Sequence, residues 1–241
     1  MTIQESHETE HVHSESSPFI DNVEVERFFP GGNRQAVLEE LLQAICDAVP
    51  IVTLTGEEGC GKTMICRMVE RALPSDYVTV FFPQMVDSFE DVVRLIAHRL
   101  EVDPAVAAGD IPTLLQTIAA TLREKVLRLL VIFDEAERIY LATLERVRKM
   151  LDLVNSSGPL MQIMLSGRSG LHNNFKNLAL CNFLEVEERH VALEPLDLQE
   201  TGAYLNHALQ FGDIGGKKPI ISPEITERIF LASGGNFRLV N

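Results

Sequence analysis

The feature that most constrains this chain is an eight-residue string, Gly56-Glu57-Glu58-Gly59-Cys60-Gly61-Lys62-Thr63, which fits the spacing G-x-x-x-x-G-K-[ST] without exception. Such a string is informative only in the right setting, and that setting is present. Before it stands Ile51-Val52-Thr53-Leu54-Thr55, a short apolar and β-branched run introduced by Pro50 and read as a buried strand. After it, Ile65, Met68, Val69 and Ala72 recur at helical spacing. In the order strand, glycine loop, helix, backbone N–H groups can wrap a phosphate chain. The positive N-terminal end of the helix adds to the attraction. The spacing assigns Lys62 to β- and γ-phosphates and the Thr63 hydroxyl to Mg²⁺. Gly56 through Thr63, with Met64 following, form the binding segment. Cys60 has two readings: a thiol acidified by the helix N-terminus, or a small residue filling space.

A second string fits the first. Leu129-Leu130-Val131-Ile132-Phe133 is a continuous apolar run, as expected of a central parallel strand covered on both faces. It ends in Asp134-Glu135, two carboxylates where the strand exits. Asp134 is expected to hold Mg²⁺, directly or through water, and Glu135 to orient and polarise an attacking water. Between Lys62 and Asp134 there is room for a whole strand, Tyr77–Phe82, and two helices, opened by Ser88 and Asp110. Further strands are expected at Leu160–Leu165 and around Val191–Leu193, with a long helix through Leu141, Leu144, Val147, Leu151 and Val154 between the third and fourth. Asn33 is placed as the cap of a first helix carrying Val37, Leu38, Leu41, Leu42 and Ile45. Alternating strands and helices imply an α/β fold with a parallel five-stranded sheet and right-handed crossovers. After Pro195 the pattern is helical only, with Asp197/Glu200 and Ser222-Pro223 as helix starts, Gly234-Gly235 as a stop and Asn236 as a further start. The expected division is a polar, acidic, disordered tail over 1–17, a nucleotide-binding core over 18–195 and a small helical lid over 196–241, cut short at the chain end.

Composition narrows the partners. The formal net charge is −14, and residues 1–26 hold seven acids and no Lys or Arg, so half the acidity lies there. An acidic body argues against broad nucleic-acid binding, which rests on Lys and Arg contacts to phosphate. Cys46, Cys60, Cys66 and Cys181 show no CxxC spacing and read as reduced thiols of a cytoplasmic protein. His7, His11 and His13 read as part of a solvated tail, with a metal tract as the alternative. No apolar stretch reaches the ~20 residues needed to span a bilayer.

Glu directly after Asp, with an extra strand between the two motif strands, resembles the additional-strand, catalytic-glutamate branch of P-loop NTPases. The chain resembles AAA+ ATPases, and more narrowly the ExeA/GspA type of the bacterial general (type II) secretion pathway. The resemblance is carried by Phe28-Phe29, Gly56–Thr63, Phe133–Glu137, the string from Gln162 to Leu171, Leu193–Leu196 and the closing string from Ser233 to Asn241. It covers residues 18–241. It implies ATP and Mg²⁺ as cofactors; no N-K-x-D string for guanine occurs. It implies that Arg168, where the family carries a Gln, lies in the sensor-1 region, either touching the γ-phosphate or turned away, with Ser166 as the alternative sensor. Arg238 matches the sensor-2 arginine of the lid. Arg189 is the one candidate for an arginine finger acting across a subunit interface. ATP-promoted self-association and an inner-membrane secretion or envelope partner are implied too. Members of the family usually continue into a transmembrane helix and a peptidoglycan-binding region, so the resemblance implies either an excised cytoplasmic domain, which the end inside a lid helix favours, or a stand-alone member.

Three functions compete at this point. One is an energy-coupling ATPase for assembly of a secretion or envelope complex. Another is a nucleic-acid AAA+ protein of the transposition-helper or origin-recognition type. The third is a slow nucleotide-gated scaffold.

Overall fold

The computed structural model describes residues 23–84, 86–171, 187–211 and 221–241. The tail 1–17 with its three histidines, and Cys181, lie outside them. Five strands form one parallel sheet: β1 (Ile51–Thr55), β2 (Tyr77–Phe82), β3 (Arg128–Phe133), β4 (Met161–Gly167) and β5 (Glu188–Ala192), in the order β2-β3-β4-β1-β5. All four pairings are parallel. β1 and β3, the strands that carry the two motifs, flank β4, so both strand exits open at the same sheet edge.

The alternation of side chains along each strand divides the core in two. Leu129, Val131 and Phe133 join the cluster under α3 (Phe89–Arg99), α5 (Ile111–Glu124) and α6 (Leu141–Val154). Leu130 and Ile132 join the cluster under α1 (Arg34–Cys46) and α2 (Lys62–Ala72). All five residues are fully buried, which is what an uninterrupted apolar run requires of a strand covered on both faces. Each such Leu, Ile or Phe contributes about 1.5–3 kcal/mol by leaving water. Phe82 and Phe133 stack at 5.0 Å between neighbouring strands.

Most helix starts are the expected ones. Ser88 Oγ accepts from the Asp91 N–H at 3.1 Å, and the Asp110 carboxylate accepts from the Thr113 N–H at 3.0 Å. Asp197 and Glu200 form a reciprocal capping box at α7 (Leu198–Ala208). A one-turn helix, α4 (Pro104–Ala107), interrupts the run between α3 and α5; its Asp103-Pro104 start was not singled out in the sequence.

Two expectations are corrected. Asn33 precedes α1 without capping it by its side chain. Its amide instead donates to the Ala192 carbonyl at 2.8 Å, tying the helix start to the end of β5. The fifth strand begins at Glu188 rather than near Val191. Its polar residues pair with β1 at an edge, where one face is open: Thr53 Oγ donates to Glu188, and Thr55 Oγ1 lies 2.8 Å from His190 Nε2. An apolar-run criterion overlooks such a strand.

After Pro195 come α7, α8 (Pro223–Ser233) and α9 (Phe237–Val240). The turn between α8 and α9 explains its glycines. Gly235 has φ +75°, and a Cβ there would lie 1.9 Å from the Leu196 carbonyl oxygen. Only glycine permits both the left-handed backbone and that approach. The helical part is thereby seated on the segment that leaves the sheet.

Candidate nucleotide site

β1 ends at Thr55 and the chain turns through Gly59 (φ +79°) and Gly61 (φ +96°) into α2. Gly61 stands at the N-cap position with no side-chain capping bond, so the first amides of an eleven-residue helix are left for another acceptor. Lys62 Nζ curls back over the loop and donates to the carbonyls of Gly56 and Glu57, both at 2.9 Å.

The second motif meets the first here. Thr63 Oγ1 donates to Asp134 Oδ2 at 2.5 Å, although 71 residues separate them. Asp134 is 3% exposed. Its other oxygen accepts from Ser166 Oγ at 2.7 Å and from the Glu135 N–H at 3.1 Å. Both carboxylate oxygens thus accept hydrogen bonds, from Thr63 on one and from Ser166 and the Glu135 amide on the other. Glu135 itself has a left-handed backbone, φ 49°, a conformation that costs a non-glycine residue energy and is found at functional sites. It starts a short 3₁₀ turn, Ala136–Arg138, that brings Arg138 Nη1 to 2.6 Å from Glu135 Oε2. That pairing holds the Arg138 guanidinium above its ordinary pKa.

Cys60 and Cys66 lie beneath the loop, both buried. Burial pushes both thiols up from their ordinary range. For Cys60 it outweighs the opposing pull of Lys62 and Arg34, and at 2% exposure the side chain is packed as the space-filling reading requires.

Two expected arginines reach the same place. Arg168 follows β4 and Arg238 belongs to α9, and both pair with Glu58 of the loop. Lys62, Thr63, Asp134, Glu135, Arg168 and Arg238 line one cavity of about 590 Å³. Arg189 is not among the lining residues. It lies on β5 opposite Val52, below the level of the loop, with Nη1 at 3.6 Å from Glu40 of α1.

A second cavity of about 120 Å³ adjoins the first, and Gly61, Met64, Phe237 and Asn241 line both. Its walls are aromatic. The Tyr204 and Phe237 rings meet edge-on at 4.5 Å, and Phe29 lies 5.5 Å from Tyr204. Arg34, 2% exposed, donates through Nη2 to the carbonyls of Glu194 (2.6 Å) and Cys60 (3.3 Å) while its guanidinium lies 4.8 Å over Phe237. Burial lowers the pKa of this guanidinium. Sequence reasoning missed Arg34, Tyr204 and Arg138, which line the two cavities. The one available signal was an arginine in the first turn of a helix whose other inward positions are apolar.

The sequence pattern of the AAA domain matches residues 46–175, more than half of the 241. The chain belongs to the AAA domain family. The narrower resemblance holds too: general secretion pathway protein A of Aeromonas hydrophila is 26% identical over 211 residues, 85% of this chain. This AAA protein spans 37% of that relative's length. Among solved structures, Cdc6p of Pyrobaculum aerophilum matches with a TM-score of 0.63 at 17% identity, over 90% of this chain and 63% of the other. The Aeropyrum pernix ORC2 protein, in its ADPNP-ADP complexes, matches with 0.62 at 14% identity, over 95% and 63%. At such identities the likeness speaks for the fold alone. That fold is the expected one, a P-loop parallel five-stranded sheet flanked by helices with a helical C-terminal part. No helix among the described residues is long and apolar enough to cross a membrane.

Proposed function

We propose that this AAA protein binds and hydrolyses ATP, and that its nucleotide state drives assembly of a secretion or cell-envelope complex. The observation that carries the reading is the convergence of Lys62, the Thr63–Asp134 pair and Glu135 on one cavity, beside an aromatic cavity that suits a purine ring. Residues 18–195 form the nucleotide-binding core in this reading, and 196–241 the lid.

Each residue then has a task. Backbone amides of the loop and the N-terminal end of α2, with Lys62, hold the phosphates. A hydroxyl and a carboxylate oxygen 2.5 Å apart are hard donors of the kind Mg²⁺ takes, and Thr63 and Asp134 would hold it. When bound, the ion neutralises charge on the phosphate oxygens. Glu135 accepts a proton from, and orients, the attacking water once its carboxylate leaves Arg138. Arg168 and Arg238 meet the terminal phosphate. Phe29, Tyr204 and Phe237 enclose the base, with Arg34 fixing Phe237 against the loop. Arg189, at an exposed sheet edge, is available to a neighbouring copy, and ATP-promoted self-association belongs to the same proposal.

Likeness to general secretion pathway protein A supports the secretion role; an inner-membrane partner and a place on the cytoplasmic side belong to the same proposal. The net charge of −14 weighs against nucleic acid as the partner.

Phosphate release in the presence of Mg²⁺ tests the hydrolytic reading. The parent protein should turn ATP over. Glu135→Gln should still bind ATP and lose turnover by about 10²-fold or more. If Glu135→Gln hydrolyses at the parent rate, the water-orienting role is wrong.

A further inference from the structure

The two arginines that reach the cavity from different elements meet on a single side chain. Glu58 Oε2 accepts from Arg168 Nη2 at 2.5 Å, and Glu58 Oε1 accepts from Arg238 Nη1 at 2.7 Å. The main-chain oxygen of Glu58 accepts from the Asn236 side-chain amide. The lid therefore lies directly on the loop. A Cβ on Gly59 would come within 2.2 Å of Asn236 Oδ1. Arg168 has a second carboxylate near, Glu137 at 3.5 Å from Nε. Ser169, next in the chain, donates to the Glu57 carboxylate at 2.9 Å.

Nothing in the wrapping of phosphate requires an acid at position 58. The pattern leaves that residue free, and the loop acts through its backbone amides. An acid there puts a fixed negative charge beside the place a polyphosphate must take. It also occupies the two cations that such a ligand would use. A terminal phosphate carries more charge than a carboxylate and three acceptor oxygens, so it is the stronger partner for guanidinium. The pairs with Glu58 are about half exposed, with side-chain exposures of 56% for Glu58, 61% for Arg168 and 54% for Arg238. Ion pairs so exposed are weak and can be exchanged without a large barrier.

We propose that Glu58 is an internal competitor for the terminal phosphate of the nucleotide. It holds Arg168 and Arg238, and through Arg238 the lid, until a triphosphate takes both arginines from it. Glu58 thus sets the threshold for triphosphate binding and links that binding to release of α9 from the loop. This rests on the reading of the cavity as an ATP site and adds the residue that regulates it.

Calorimetric titration of the full chain with Mg·ATP tests the proposal. Glu58→Gln keeps the shape of the side chain and removes the charge. It should bind ATP about three- to tenfold more tightly, the scale of two half-exposed ion pairs. The gain should vanish when Arg168→Ala and Arg238→Ala are both present. Without nucleotide, amides of 237–240 should exchange hydrogen faster in Glu58→Gln than in the parent. Glu58→Ala serves the same titration, so the outcome does not hinge on one variant. Equal or weaker ATP binding by both Glu58 variants overturns the proposal. So does a gain that persists without the arginines, since that would be plain charge repulsion. A parent protein that binds no ATP overturns the functional reading itself, which the other two outcomes leave standing.

Discussion

At the scale of single residues, the site is governed by which groups are removed from water. Asp134 is buried yet accepts hydrogen bonds from Thr63, Ser166 and the Glu135 amide, so its charge is compensated locally. At the nearby thiols burial outweighs the opposing pulls, from Lys62 and Arg34 on Cys60 and from the Ser166 hydroxyl, Lys62 and Arg67 on Cys66. Cys60 is 2% exposed and Cys66 0%, and burial raises both, whereas Cys46 is exposed. Brief treatment with iodoacetamide at about pH 7.5, followed by peptide mapping, should label Cys46 at least about tenfold faster than Cys60 or Cys66, because the thiolate is the reacting form. Labelling of Cys60 as fast as Cys46 would contradict the burial argument. Lys62, Thr63, Asp134 and Glu135 were legible in the sequence because each motif is local and its neighbours state the setting. Arg34, Tyr204 and Phe237 were not. They converge from positions as far apart as 34 and 237, and only the docking of α9 beside α1 brings them together.

At the scale of elements, the strands and helices with one apolar face or two were readable, and the polar ones were not. β3 announces itself by five apolar residues; β5 has the burial pattern of an open edge and gives no such signal. Within β4 one residue departs from the apolar run. Gln162 is 2% exposed. Its Nε2 donates to the carbonyls of Ile45 (3.1 Å) and Val49 (2.8 Å), and its Oε1 accepts from Tyr77 OH at 3.3 Å. It shares the Ile45 carbonyl at the end of α1 with Tyr77 OH (2.9 Å) and the Ala48 N–H (3.0 Å), and it ties down Val49 in the link to β1. Gln162→Leu keeps the size and takes the side-chain donor from the buried Val49 carbonyl, while the Ile45 carbonyl keeps Tyr77 OH and the Ala48 N–H. Chemical denaturation should show a loss of about 1–3 kcal/mol. A loss below about 0.5 kcal/mol would mean that water or backbone adjustment replaces the amide.

At the scale of the whole molecule, the strand order places both motif strands beside β4, and the linker after β5 seats the helical part against the loop through Leu196 and Gly235. The cavity is therefore walled by the sheet edge on one side and by α9 on the other. A polyphosphate in that cavity lies between residues of the sheet edge and residues of α9. The succession of strands and helices along the chain was legible from their apolar patterns, whereas the order β2-β3-β4-β1-β5 within the sheet is set by contacts between distant segments. The contact of Glu58 with Arg168 and Arg238 was not legible either, since a charged residue at a free position of a motif carries no signal until the chain folds. The central claim is that this cavity holds ATP through Lys62. Equilibrium titration of the parent and of Lys62→Ala with Mg·ATP tests it most directly. The parent should bind one ATP per chain and Lys62→Ala, still folded by circular dichroism, should bind none measurably. Equal binding by the two proteins, or no binding by the parent, would contradict it.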